Sequence, residues 1–152
     1  LEWLHKQRTR LAGTGAPLFV AGEEAGGNIA AAVAFMVRDR AHPPLAGQIL
    51  VAPMLDPCNA TASLRETMGT ATGCKWMAGW QQYLRGPMDA EHPYAVPARA
   101  QRLTGLPPAL ILTGGDDPMR DEALAYAERL RGAKSDEALY ALLADTETRD
   151  AA

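Results

Sequence analysis

The segment Gly22-Glu23-Glu24-Ala25-Gly26-Gly27-Asn28 constrains this chain more than any other stretch. It stands between a strand-like run, Pro17-Leu18-Phe19-Val20-Ala21, and an alanine-rich stretch of helical character. Gly26 and Gly27 let a helix start close against a sheet, because neither carries a Cβ. The pattern is that of a G-x-S-x-G elbow, a tight strand-to-helix turn that lifts a serine above a parallel sheet. The central position here is Glu24. The scaffold is present, and the hydroxyl that such a turn usually carries is not.

The rest of the chain supports a parallel sheet. Trp3-Leu4 and Leu11 suggest the end of a helix, and Gly13-Thr14-Gly15 a turn. The helix after the elbow is expected over Ile29–Arg40, with Ile29, Val33, Met36 and Val37 on one face. Ala30, Ala31 and Ala32 add helix propensity and allow close packing. His42-Pro43-Pro44 ends it. Gly47–Pro53 and Ala109–Thr113 are short apolar runs of the kind that form buried parallel strands.

Between those strands lies an irregular stretch from Leu55 to about Thr72. An aromatic helix comes next near Lys75–Leu84, and then a Pro-rich loop over Gly86–Pro108. Pro118–Arg131 predicts a helix with acids in its first turn and arginines in its last, matching the helix dipole. The tail from Lys134 has a weak helical pattern.

The order strand, helix, strand, excursion, strand, helix predicts an α/β fold with about three strands and flanking helices. Three strands are too few for a complete doubly wound sheet. One or both edges are therefore expected to be open, a surface for self-association. Residues 1–152 are expected to form a single partial domain. Within it, 57–90 is a cap-like or loop excursion and 134–152 a divergent tail. The first residues read like the middle of a helix, so the chain is expected to continue upstream.

Composition excludes some partners. The formal net charge is −3, which gives no basic footprint for nucleic acid or an anionic membrane surface. No apolar run approaches the ~18 residues of a membrane span. Cys58 and Cys74 belong to no CxxC or Cys/His cluster, so no metal or cofactor is expected. Free thiols in a cytoplasmic protein are the expected state, with a bridge between them as the alternative.

These motifs together resemble the α/β-hydrolase fold and, more narrowly, the hormone-sensitive-lipase-like esterases. In that family the elbow reads GDSAGGN before an alanine-rich helix; here it reads Gly22 to Asn28. Leu106-Pro107-Pro108-Ala109-Leu110-Ile111-Leu112-Thr113 resembles the family strand that leads to D-P-L-R-D-E. That motif here reads Asp117-Pro118-Met119-Arg120-Asp121-Glu122. His92-Pro93-Tyr94-Ala95-Val96-Pro97 resembles the family's P-Y-A-S-P stretch. The likeness runs from Leu1 to about Arg131.

The resemblance implies a Ser-Asp-His triad in that order and an upstream HGGG oxyanion loop. Asp117 matches the triad acid. Ala25 matches the residue whose backbone N–H lines the oxyanion hole. Glu24 occupies the nucleophile position. No HGGG occurs in the chain, and no histidine comes after Asp117. Ester cleavage needs a hydroxyl activated by a neutral imidazole and N–H donors for the developing oxyanion. Loss of the nucleophile alone costs about 10⁶ in turnover. The chain is therefore expected to be catalytically impaired or inactive.

Three functions remain open. The first is an esterase-family chain, partial or degenerate, whose intact parent would hydrolyse carboxylic esters, with a small apolar ester-like ligand. The second is a non-enzymatic protein that binds a ligand or partner in the same pocket. The third uses Glu24 as a carboxylate nucleophile, which needs a base to activate the hydrolytic water. Glu24 can instead be held by the positive end of the next helix, its carboxylate accepting the Ala25 N–H. Asp117 before Pro118 can equally be a turn residue. His42 and His92 read as surface residues. Trp76, Trp80 and Tyr83 at helical spacing either line a cap over a pocket or belong to the core. Met36, Met54 and Met68 read as gap fillers.

Overall fold

The computed structural model describes residues 1–58, 60–68, 75–133 and 139–143, with side chains for all of these except Met68 and residues 139–143. Four parallel strands form one sheet in the order β1 (Phe19–Glu23), β2 (Gly47–Val51), β3 (Ala109–Gly114) and β4 (Leu139–Leu143). The three strands expected from the sequence are joined by a fourth. Leu139–Leu143 pairs with β3 from Leu110↔Leu139 to Gly114↔Leu143, so this part of the tail is a strand and not the helix its pattern suggested. β1 and β4 are the edges of the described sheet.

β1 starts two residues later than the apolar run and continues through Gly22 and Glu23. The helix α2 (Ala25–Arg40) begins directly after Glu24, four residues earlier than expected. Its buried face is Ala30, Ala31, Ala34 and Phe35, while Ile29 is 54% exposed. Of the four residues expected on one face, Val37 is buried and Val33 and Met36 are half-buried, but the main core cluster takes Ala30, Ala31, Ala34 and Phe35 instead. Alanines predominate there because the helix lies close to the strands.

α2 shares one core with α6 (Arg120–Gly132). Ala123, Tyr126, Ala127 and Leu130 of α6 join Phe35, Leu50 and Ile111 in a single cluster. The opposite face is more open: Phe19 is exposed, and Ile49, Val51, Leu110 and Leu112 are half-buried. The N-terminal helix α1 (Glu2–Ala12) has no buried residue.

The stretch expected to be irregular contains α3 (Ala62–Met68). Its start is clasped to the start of α6: Ser63 N–H donates to Asp121 Oδ2 at 2.8 Å, and Asp121 N–H to Ser63 Oγ at 3.2 Å. No run of the sequence announces this, because the stabilising partner is 58 residues away. The aromatic helix α4 (Lys75–Tyr83) forms as expected.

The Pro-rich stretch holds the short helix α5 (Pro87–Ala90) and a 3-10 turn at Pro97–Arg99. It is not a solvated loop: Val96, Ala100, Leu103 and Leu106 are all buried. Arg129 donates to the carbonyls of Ala98 and Ala100, and Arg38 to that of Arg102 at 2.7 Å. Among the described residues, no helix is long and apolar enough to cross a membrane.

Candidate functional site

The parallel register brings the carboxyl ends of the strands to one edge of the sheet, where ligands bind in open α/β folds. Glu24 sits there with φ 47° and ψ −117°, a backbone conformation that few side chains adopt. The surroundings hold it from both sides. Its N–H donates to Val51 O at 3.0 Å, and its carbonyl accepts Gly27 N–H at 3.0 Å and Met54 N–H at 3.0 Å. A Cβ on Gly22 would stand 2.0 Å from Gly26 O, and one on Gly27 would stand 2.8 Å from Pro53 Cβ. The elbow is therefore built from absent side chains.

The Glu24 side chain is exposed and makes no capping hydrogen bond to α2. The idea that its carboxylate fills the oxyanion position by accepting the Ala25 N–H has no support in this geometry. Ala25 itself begins α2.

Glu24 and Ala25 line a cavity of about 270 Å³ together with Asn28, Ile29, Met54, Lys75, Trp76, Gly79, Trp80 and Tyr83. The aromatic stripe thus serves both of its expected roles. Trp80 is buried in a cluster with Met54, Leu64, Val96 and Met119, and Trp76 packs against that cluster. Both tryptophans also wall the cavity. The Lys75 ammonium lies 4.6 Å from the centre of the Trp76 ring.

Asn28 is a polar residue that its place in the motif alone does not single out. Its amide nitrogen donates to Ala95 O at 2.8 Å, tying α2 to the stretch before the 3-10 turn. Its Oδ1 is buried without a hydrogen-bond partner, as are Nε1 of Trp76 and of Trp80.

Asp117 is elsewhere. Its Oδ1 accepts Met119 N–H at 2.7 Å and its carbonyl accepts Arg120 N–H at 3.0 Å, so it acts as a turn residue at the start of α6. It lines a different cavity, of about 310 Å³, with Ser63, Glu66, Thr67, Asp116 and Arg120. That cavity is polar and its arginine is engaged: Arg120 pairs with Asp121 at 3.1 Å and with Glu66 at 3.5 Å.

No histidine joins Asp117. His5 and His42 meet ring to edge at 4.8 Å, and His92 Nδ1 accepts Tyr94 N–H at 3.1 Å. The structure thus brings Glu24, Ala25 and the aromatic stripe to one cavity, while Asp117 lines another. Among the described residues, no three His, Cys, Asp or Glu side chains converge to hold a metal ion. Cys58 is an exposed free thiol, and Cys74 lies outside the described residues.

Glu122 is an unexpected buried acid. Its Oε1 accepts Leu55 N–H at 2.6 Å, joining α6 to the segment after β2. Burial pushes its pKa up to about 7, against the backbone N–H groups of Leu55 and Asp56, which favour the ionised form. Its place in the Asp117–Glu122 motif is the one signal that could have singled it out.

A protein-family model described as alpha/beta hydrolase fold matches residues 1–143, which extends past the Arg131 limit of the motif resemblance. Esterase LipI of Mycobacterium tuberculosis is 38% identical over 117 residues, covering 75% of this chain and 37% of LipI. The gibberellin receptor GID1 of Oryza sativa subsp. japonica is 35% identical over 141 residues, covering 86% of this chain and 39% of the receptor. The solved structure of a hyperthermophilic esterase from Pyrobaculum calidifontis superposes with a TM-score of 0.78 at 33% identity, covering 95% of this chain and 48% of that one. The chain spans less than half the length of these relatives.

Proposed function

The chain belongs to the α/β-hydrolase fold family, and from that premise we propose that it retains the binding half of an esterase-like site without ester turnover. The observation that carries this reading is Glu24 in the strained central position of the elbow, at the mouth of an apolar cavity. The ligand is a small apolar ester-like molecule. Residues 57–90 act as a cap, with α4 supplying the wall of the cavity. Asp117 is the vestige of a triad acid that now serves its turn. Glu24 acting as a nucleophile lacks a base, since no histidine lines the cavity among the described residues. The open edge of β1 is the surface for self-association, and the exposed Cys58 thiol suits a cytoplasmic setting.

The similarity to a gibberellin receptor favours a second reading, in which ligand binding is itself the function. The two readings share the pocket and differ in the consequence of binding. The test is an assay of the purified chain on short-chain nitrophenyl esters. The expected rate equals the buffer blank, for this chain and for Glu24→Ser, because no imidazole is at hand. Clear turnover that disappears in Glu24→Ala overturns the proposal.

A further inference from the structure

We propose that the cavity beside Glu24 selects an apolar primary ammonium ligand over a neutral or anionic molecule of the same shape. The inference rests on the reading of this cavity as a ligand pocket and names the ligand class of that site. Three observations lead to it.

First, a carboxylate stands where an esterase presents a neutral hydroxyl. Glu24 makes no ion pair among the described residues, so no side-chain cation is held against its carboxylate at the cavity mouth. Second, the carboxylate is the acceptor that this cavity presents: Asn28 also lines it, but its amide nitrogen is bound to Ala95 O and its Oδ1 is buried away from the open space.

Third, the walls are aromatic. Trp76, Trp80 and Tyr83 line the space, and ring faces attract cations through their quadrupoles. Lys75 already rests its ammonium over the Trp76 ring, an internal example of the proposed contact. A carboxylate ligand could use Lys75, but it would have to share the cavity with the Glu24 charge. Like charges in a partly desolvated space repel.

The experiment is calorimetric titration at neutral pH and low salt with three probes of matched shape: 4-phenylbutylamine, 4-phenylbutanol and 4-phenylbutanoate. The amine, as its ammonium, should bind about tenfold tighter than the alcohol, and the carboxylate most weakly. Glu24→Gln should bring the amine to the affinity of the alcohol and leave the alcohol unchanged. Lys75→Gln, by removing the competing internal cation, should tighten the amine and not the alcohol. Both side chains are exposed, so thermal melts of the variants should match the parent. If the alcohol binds as tightly as the amine, or the carboxylate binds best, the ammonium inference is overturned while the pocket reading stands. If none of the three binds, the pocket reading falls with it.

Discussion

The turn after β1 and the turn after β3 sit at the same edge of the sheet and hold their acids in opposite ways. The first fixes its backbone and leaves the side chain free: the elbow glycines are in place, and the exposed Glu24 stands at the centre. The second uses its side chain for structure: the Asp117 carboxylate is bonded to the amide two residues on. Close packing explains the difference. A backbone jammed against its neighbours tolerates no added atoms, whereas a side chain that points into solvent is free to be exchanged. The elbow is fixed wherever main chain meets main chain, and unconstrained at the one atom that would do the chemistry.

This contrast can be broken most directly with two alanines. Gly22→Ala places a methyl 2.0 Å from Gly26 O and should cost more than about 4 kcal/mol, read as loss of soluble protein or collapse of the urea midpoint. Gly114→Ala, whose new atom would meet only Asp117 Cβ at 3.9 Å, should change stability by less than about 0.5 kcal/mol. Equal effects would remove the claim that only the first turn is sterically locked.

The next effect in size belongs to Glu122. Its folded pKa of about 7 lies above the ordinary value of 4.5, so the folded state holds the proton more tightly than the unfolded chain. The resulting stability is fully present below pH 4.5 and is lost as pH rises to about 7. The span corresponds to about 3 kcal/mol. Urea midpoints measured from pH 4 to 8 should fall across that window in the parent, and Glu122→Gln should flatten the slope while keeping an acceptor for Leu55 N–H. An unchanged slope in the variant would assign the pH dependence to other groups.

Two smaller changes sharpen the picture of the elbow. Asn28→Ala removes the bond to Ala95 O and should destabilise by about 1–2 kcal/mol in thermal or urea melts. Glu24→Gly should stabilise by about 1 kcal/mol, because only glycine adopts its φ and ψ at ease. A loss of stability there would mean that the carboxylate has a structural role that its hydrogen bonds do not reveal.

The parts of the fold that were legible from the sequence are those set by local rules. The elbow, the apolar runs at Gly47 and Ala109, and the aromatic helix all announce themselves within ten residues. The parts that were not legible depend on distant partners. α3 is clasped where Ser63 meets Asp121; Val96, Ala100, Leu103 and Leu106 are buried in clusters built from distant elements, and Arg38 and Arg129 tie their stretch down by its carbonyls. The burial of alanines in α2 while Ile29 stays exposed could not be read from hydrophobicity, since it records how near the sheet lies. Of the candidate site, Glu24, Ala25 and the aromatic wall were visible in the motifs. That Asp117 lines a second cavity with Ser63 and Arg120 was not, because a motif match carries residue order and no distance.

The three main-chain bonds that anchor Glu24 to Val51, Gly27 and Met54 involve none of its own side-chain atoms. Position 24 is in this sense a socket: an amino acid that tolerates its backbone conformation is delivered to the same spot above the sheet. Exchanging Glu24 for other unbranched polar residues should return folded proteins that differ in one group at the cavity mouth, whereas proline, which has no N–H for Val51 O, and β-branched residues, which resist a positive φ, should not be accepted there.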